Sequence, residues 1–212
     1  MSRSGTDAYD SETHLPPLVA RAVAAARAQG FAKSCRPEQG RLLQALAAGA
    51  QEAIGETGTG CGVGLAWLAS GARAGVRLVS VELDPERARI AAEVFADVPE
   101  VEIITGDWRR IEEHAPYDLL VLDGGGNGKR AGDRPAEPDR LLRPGGRIVV
   151  DDFTPATAWP PLLDGEVDHA RLHWLEHRDL HTVELPLAKD LATLVGTRRR
   201  AASAAGTAPQ GA

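Results

Sequence analysis

The chain has 212 residues, of which 43% are hydrophobic, and a formal net charge of −6. This size fits one compact α/β domain, and the acidic excess disfavours nucleic acid as a partner. The sequence shows neither an apolar run of about 18 residues nor a basic-then-apolar leader, so we expect a cytoplasmic protein without a membrane span. Cys35 and Cys61 lack metal-site spacing, and we expect both to be reduced thiols.

Apolar runs bounded by turn residues alternate with helical patterns along the chain. An alanine-rich segment at 15–29 predicts the first helix, and further helices are predicted at 63–70 and 85–95. The predicted strands are 53–56, 76–81, 101–105, 118–122 and 147–150. This alternation predicts a doubly wound α/β fold, with a parallel sheet covered by helices on both faces.

Two more strand-like runs, 182–187 and 191–197, are separated by three residues. A crossover helix needs a longer connection, so these runs predict an antiparallel pair at one edge of the sheet. The predicted sheet is then seven-stranded and mostly parallel, with an antiparallel last strand. We expect a single domain over 15–200 with a helical cap at 15–48, and disordered tails at 1–14 and 201–212.

A glycine-rich turn after the first predicted strand is the most informative motif. Glycine is used where the backbone turns sharply or comes close to a ligand. A dinucleotide fingerprint, Gly-x-Gly-x-x-Gly, fails here because Val63 or Leu65 stands where its last glycine belongs. The spacing therefore argues against a dehydrogenase. The residues of the motif are Glu56, Gly58, Gly60 and Gly62.

This Glu-x-Gly-x-Gly-x-Gly pattern resembles the first motif of the class I S-adenosylmethionine-dependent methyltransferases. A Leu-Leu-x-Pro-Gly-Gly stop at 141–146, before the fifth predicted strand, is also similar to this class. The resemblance covers residues 36–198. It implies a Rossmann-like methyltransferase fold, S-adenosylmethionine as cofactor and, because related small-molecule enzymes often pair, a homodimer.

The polar groups of this cofactor make demands that individual residues can meet. N–H groups of the glycine turn suit the methionine carboxylate, and Glu56 or Asp123 suits its ammonium. The ribose hydroxyls need a carboxylate at the end of the second strand, about twenty residues beyond the glycines. Glu82 lies there, with Asp84 as the weaker alternative.

The adenine ring needs an acceptor for its amino group and apolar walls. A Gly-Asp-Trp sequence after the third predicted strand resembles the corresponding motif of the family. The resemblance implies that Asp107 accepts the amino proton and that Trp108 or Leu83 covers the ring.

Three aspartates follow the fourth and fifth predicted strands, namely Asp123, Asp151 and Asp152. They take the positions that hold a divalent cation in the catechol-type O-methyltransferases, which this chain resembles, and oxygen ligands suit Mg²⁺ or a similar cation. Asp152 replaces an asparagine of the family, and glycines follow Asp123 where the family has a lysine. Two interpretations stay open: a cation site, or Asp123 serving cofactor and substrate directly while Asp151 or Asp152 caps a turn.

The resemblance implies O-methylation of a small acceptor, such as an aromatic hydroxyl compound, by direct in-line displacement. Asp123 and Lys129 are the catalytic candidates, and without a cation Lys129, His14 or a carboxylate must remove the acceptor proton. Phe153 and Trp159 are candidate walls for a planar acceptor. The alternatives are N- or C-methylation of a small metabolite without metal, and a non-catalytic S-adenosylmethionine-binding protein.

Overall fold

The computed structural model describes residues 5–130 and 132–200. Strands alternate with helices along most of these residues. The strands are β1 (Ala53–Thr57), β2 (Arg77–Glu82), β3 (Val101–Thr105), β4 (Tyr117–Leu122), β5 (Leu142–Phe153), β6 (Leu162–Leu163), β7 (Glu166–Val167), β8 (Leu180–Ala188) and β9 (Leu191–Arg198). The helices are α1 (Pro17–Ala28), α2 (Pro37–Ala47), α3 (Val63–Gly71), α4 (Pro85–Val94), α5 (Pro138–Leu141) and α6 (His169–Leu175).

Within the described residues, seven strands form one sheet in the order β3-β2-β1-β4-β5-β9-β8. The first five strands along the chain pair in parallel, and β9 is antiparallel to both β5 and β8. The predicted fold class is therefore confirmed. β5 begins at Leu142 rather than 147, because the segment after α5 is already extended.

Both faces of the sheet are buried, as a sheet built from parallel strands requires. Along β4, Leu119 and Val121 pack into one hydrophobic cluster with α1, α2, α3 and α4, while Leu120 and Leu122 pack into the other. This alternation follows from the two-residue period of a strand. Helices α1, α2, α4 and α5 begin with proline, whose missing N–H would be unpaired in the first turn in any case.

The predicted N-terminal tail is ordered where the structure describes it. Residues 7–11 form a short 3₁₀ helix in which Tyr9 is 3% exposed. The expectation of disorder over 1–14 is wrong for residues 5–14, because this tyrosine is anchored in the core by hydrogen bonds that composition does not reveal. Residues 1–4 and the predicted tail at 201–212 lie outside the described residues.

The helical cap predicted at 15–48 consists of α1 and α2, which are joined by a loop at 29–36. None of the helices in the described ranges is both long and apolar enough to cross a membrane.

Candidate active site

A cavity of about 470 Å³ lies beyond the carboxyl ends of β1, β2, β3 and β4. Ligands of open α/β sheets bind at this edge. The structure brings together at this cavity most of the residues that the sequence assigned to a cofactor. Those that line it are Gly58, Gly60, Glu82, Leu83, Asp107 and Trp108, whereas Glu56, Gly62 and Asp123 lie behind or beside it.

Two glycines of the turn, Gly58 and Gly62, have left-handed backbone conformations that favour glycine. Gly58 has a φ of +88°, and a Cβ on it would stand 2.4 Å from the backbone nitrogen of Gly124. Gly62, with a φ of +89°, is the N-cap of α3 in the left-handed region. The turn therefore leads directly into the N-terminus of α3, where backbone N–H groups are free to bind an anion.

Glu82 ties the end of β2 to the glycine turn. Its side chain is buried, and its Oε2 accepts the N–H of Gly60 at 2.8 Å. Its Oε1 accepts the N–H of Asp84 at 3.0 Å and the guanidinium of Arg87 at 2.8 Å. Oε2 thus retains a lone pair for one ligand hydroxyl. Sequence reasoning missed Arg87, although an arginine in the first turn of the following helix is a usable signal for an ion pair with this acid.

The predicted adenine end is built around the indole of Trp108. Its ring packs on the backbone of Gly125 and Gly126, where a Cβ would stand 2.6 and 2.9 Å from ring atoms. Its N–H donates to Asp133 at 3.0 Å, a partner that sequence reasoning missed. Asp107 caps the 3₁₀ helix that starts at Trp108 and accepts a hydrogen bond from the Arg109 side chain. The exposed carboxylate of Asp107 still faces the cavity.

An acidic centre of Asp123, directly after β4, and Asp151, near the end of β5, lies beside this cavity. Asp151 is buried and Asp123 is partly buried, and one oxygen of each is buried with no hydrogen-bond partner in the described part of the chain. Burial raises the pKa of both carboxyls, and repulsion by Asp151 raises that of Asp123 further. The pair is therefore electrostatically suited to a positive group.

Lys129 comes from the loop after β4 and supplies such a group. Its Nζ donates to the backbone carbonyls of Asp151 and Asp152 and lies 3.7 Å from the centroid of the Phe153 ring. Burial lowers the pKa of Lys129 to about 8, although the charges of Asp151 and Asp123 oppose this shift. The structure thus brings Lys129 and Asp123, the two catalytic candidates, to one end of the sheet.

The predicted three-aspartate cation site does not assemble. Among residues 5–130 and 132–200, no group of three or more His, Cys, Asp or Glu side chains is placed to hold a metal ion. Asp152 has a left-handed φ of 69° at a register irregularity of β5, and it is exposed while Asp151 is buried. This corrects the expectation that Asp123, Asp151 and Asp152 converge. As a group, these three side chains do not fit a divalent cation.

The structure places Phe153 and Trp159, the candidate acceptor walls, in different surroundings. Phe153 is 6% exposed and lies between Lys129 and Arg171, whose guanidinium carbon is 4.9 Å from the ring centroid. Arg171 is itself buried and pairs with Asp168 and Glu184. Trp159 is 68% exposed. The Phe153 ring therefore packs against the side chains of both Lys129 and Arg171. Sequence reasoning missed Arg171.

Glu56 supports the glycine turn from behind. It is 2% exposed, and its Oε2 accepts the hydroxyl of Ser80 at 2.6 Å. Thr59 Oγ1 in the turn lies 2.6 Å from the same hydroxyl. Burial raises the pKa of Glu56 to about 8, although the hydrogen bond from Ser80 opposes the shift. Its predicted role toward a ligand ammonium stays a prediction.

The raised pKa of Glu56 predicts that this residue destabilises the fold at alkaline pH. Between its ordinary pKa and about 8, the unfolded chain is ionised at this position while the folded chain is protonated, so stability falls as the pH rises. We expect Glu56→Gln to raise the free energy of unfolding at pH 8.5 by on the order of 2–4 kcal/mol, and to have little effect at pH 5. Urea denaturation at both pH values measures this, and an equal effect at both would contradict it.

Comparison with known proteins shows what this chain is similar to. Residues 56–153 match the sequence model of a family described as a methyltransferase domain. The match covers a little less than half of the chain. This segment runs from Glu56 through Phe153, and it includes the glycine turn, Glu82, Trp108 and the acidic centre.

Two mycobacterial relatives match part of the chain. A protein of Mycobacterium sp. (strain JLS), named provisionally as an O-methyltransferase, is 36% identical over 142 residues, which is 60% of this chain and 62% of that protein. A probable O-methyltransferase of Mycobacterium tuberculosis (strain ATCC 25618 / H37Rv) is 36% identical over 116 residues, 51% of this chain and 50% of that protein. The chain thus spans between half and about three fifths of the length of these relatives.

Solved structures share the fold of this chain over nearly its whole length. An O-methyltransferase from Bacillus cereus in complex with SAH has a TM-score of 0.68 at 21% identity, covering 92% of this chain and 96% of that one. A cofactor-bound protein from MTB has a TM-score of 0.71 at 24% identity, covering 94% and 99%. The predicted Rossmann-like methyltransferase fold is therefore confirmed.

Proposed function

We propose that the protein binds S-adenosylmethionine in the 470 Å³ cavity and transfers its methyl group to an oxygen of a small acceptor. The observation that carries the proposal is the joint lining of this cavity by the glycine turn, the buried Glu82 and the Trp108 ring. These provide an anion-binding helix N-terminus, a hydroxyl acceptor and an aromatic wall in one pocket. The names of the mycobacterial relatives support oxygen as the methylated atom.

The residues of the cavity fit the parts of this cofactor. Free N–H groups at the start of α3 suit the carboxylate, and Oε2 of Glu82 suits a ribose hydroxyl. Trp108 and Leu83 offer apolar surface to the adenine ring, and Leu83 is 66% exposed before a ligand covers it. S-adenosylmethionine, when bound, supplies an electrophilic methyl group on its sulfonium.

Lys129 is the proposed general base. In its neutral form, Nζ would take the proton of the acceptor hydroxyl. The acceptor oxygen would then receive the methyl group as the carbon–sulfur bond breaks and its electron pair stays on sulfur. Asp123 and Asp151 stabilise the ammonium that Lys129 becomes, because their buried carboxylates favour a nearby positive charge. Alignment of the two reactants supplies about 7–11 kcal/mol in comparable reactions, and the protein forms no covalent intermediate.

The pKa of Lys129 predicts the pH dependence of the reaction. A base must be unprotonated to accept a proton, and burial lowers the pKa of Lys129 to about 8. We therefore expect kcat/KM to rise as the pH increases from 6 and to level off above about 8. Steady-state rates measured from pH 6 to 10 with one hydroxyl acceptor check this. A profile that falls over the same range would contradict a lysine base.

Incubation with methyl-labelled S-adenosylmethionine and a panel of small acceptors tests the proposed function. The panel pairs each aromatic hydroxyl compound with the corresponding amine. We expect label in an O-methylated product, together with stoichiometric S-adenosylhomocysteine. Label on nitrogen or carbon would contradict O-methylation and support N- or C-methylation instead. Cofactor binding without any product would indicate a non-catalytic binding protein.

The assembly and the location of the protein are part of the same proposal. A small-molecule acceptor is inferred from the resemblance to small-molecule methyltransferases. Homodimer formation and a cytoplasmic location follow from the resemblance to small-molecule methyltransferases and from the sequence pattern. Light scattering of the purified protein measures the oligomeric state directly.

A further inference from the structure

The loop between α1 and α2, residues 29–36, forms one wall of the cofactor cavity. Phe31, Lys33 and Ser34 line the cavity together with the glycine turn. The Phe31 ring lies against this turn, 3.0 Å from the position that a Cβ on Gly60 would take. The guanidinium of Arg87, the partner of Glu82, lies 5.8 Å from the centroid of the same ring. The placement of this loop therefore sets how closed the cavity is on that side.

Thr6, from the segment that composition marked as a disordered tail, is bonded to this loop. Its backbone N–H donates to the carbonyl of Ala32 at 3.2 Å, and its hydroxyl donates to the carbonyl of Phe31 at 2.5 Å. Ser34 Oγ lies 2.8 Å from the same hydroxyl oxygen. Both Thr6 and Ser34 are buried, so the bond between their hydroxyls is shielded from water.

Tyr9 links the other end of the loop to α3. Its hydroxyl donates to the carbonyl of Cys35 at 2.9 Å and accepts the indole N–H of Trp67 at 2.9 Å. Tyr9 and Trp67 are 3% and 2% exposed. Since α3 begins at the glycine turn, the tyrosine connects both sides of the cavity wall: the loop on one side and the helix that carries the turn on the other.

We propose that Thr6 and Tyr9 are positioning residues for the cofactor cavity, which hold loop 29–36 against the glycine turn and slow the release of S-adenosylmethionine. The identity of the cofactor rests on the proposed function. The hydroxyls of both side chains bond to loop 29–36 and to Trp67, and among the described residues neither hydroxyl bonds to Asp123, Asp151 or Lys129. We therefore expect them to act on the occupancy of the cavity rather than on the methyl-transfer step. Loss of their hydroxyls loosens the wall without altering the residues that contact the reacting atoms.

The experiment compares Tyr9→Phe, Thr6→Val and the double variant with Tyr117→Phe as a matched control. Tyr117 is also buried, and its hydroxyl donates to the backbone carbonyl of Ile111 at 2.8 Å. It lies at the start of β4, at the end of the strand away from the cavity. Stopped-flow tryptophan fluorescence gives the cofactor release rate, thermal unfolding gives the stability, and hydrogen exchange reports on the amides of 31–35 without any ligand.

We expect Tyr9→Phe and Thr6→Val each to speed cofactor release by roughly 3- to 10-fold, the equivalent of one hydrogen bond. Tyr117→Phe should change the release rate less than about twofold, at a similar loss of thermal stability. Single-turnover rates with bound cofactor should not change. Amides of 31–35 should exchange faster in the Tyr9 and Thr6 variants only.

Equal release rates in the Tyr9 and Tyr117 variants would overturn the inference, since the hydroxyl of Tyr9 would then contribute only to stability. Unchanged hydrogen exchange of the amides of 31–35 in the Tyr9 and Thr6 variants would also overturn it. This measurement uses no ligand, so it holds even if the wild-type protein binds no S-adenosylmethionine. Absence of cofactor binding in the wild type would contradict the proposed function. The two failures are therefore distinguishable.

Discussion

Replacement of Glu82 by alanine is expected to weaken S-adenosylmethionine binding by roughly 10- to 100-fold. The buried carboxylate would accept a ribose hydroxyl, and a charge-assisted hydrogen bond of this kind contributes about 1.5–3 kcal/mol. The substitution also removes the acceptor of the Gly60 N–H and the partner of Arg87, so the glycine turn loses support at the same time. Isothermal titration calorimetry measures the change in affinity.

Two variants separate these contributions. Glu82→Gln keeps a carbonyl acceptor but loses the charge, so its affinity should fall between those of wild type and Glu82→Ala. Glu93→Ala, on the exposed side of α4, removes a glutamate that pairs only at the surface with Arg89 and should leave binding unchanged. A Glu82→Ala variant that is folded and binds with wild-type affinity would show that Glu82 only braces the turn.

Replacement of Lys129 by methionine is expected to reduce kcat by roughly 10²- to 10⁴-fold, the usual contribution of a general base. Cofactor affinity should change little, because Lys129 contacts the carbonyls of Asp151 and Asp152 and the Phe153 ring rather than the glycine turn. The rise of kcat/KM toward pH 8 should disappear in the variant. Steady-state kinetics over this pH range, together with calorimetry, check both expectations.

Lys189→Met is the matched control for this substitution, because Lys189 is exposed in the turn between β8 and β9. It should retain wild-type kinetics. Full turnover in Lys129→Met would assign proton removal to another group, with Asp123 the next candidate. A parallel loss of cofactor affinity and turnover would indicate that Lys129 organises the cavity rather than the chemistry.

Local features of the fold were predictable from the sequence because they depend on neighbouring residues. The strands that end at Glu82 and Leu122 show as apolar runs, and the Pro85 start of α4 is a local helix signal. The glycine turn was recognisable because its spacing is fixed by contact of backbone with backbone, as at Gly58 and Gly124. The cavity lining followed from these, since parallel strands bring their carboxyl ends to one edge.

Contacts between distant segments were not predictable. Tyr9 meets Cys35 and Trp67 across 26 and 58 residues, so a short polar segment was expected to be disordered although one buried aromatic side chain orders it. The left-handed conformation of Asp152 separates it from Asp151, and no composition or spacing rule signals that change. Lys129 reaches the acidic centre only because of the path of its loop, which the sequence left open.

Calorimetric titration of the wild-type protein with S-adenosylmethionine, and separately with NAD, tests the central claim most directly. We expect saturable binding of S-adenosylmethionine at micromolar concentration and no heat of binding with NAD. Binding of NAD in place of S-adenosylmethionine, or no binding of S-adenosylmethionine by the folded protein, would contradict the assignment of the cavity as a methyltransferase cofactor site.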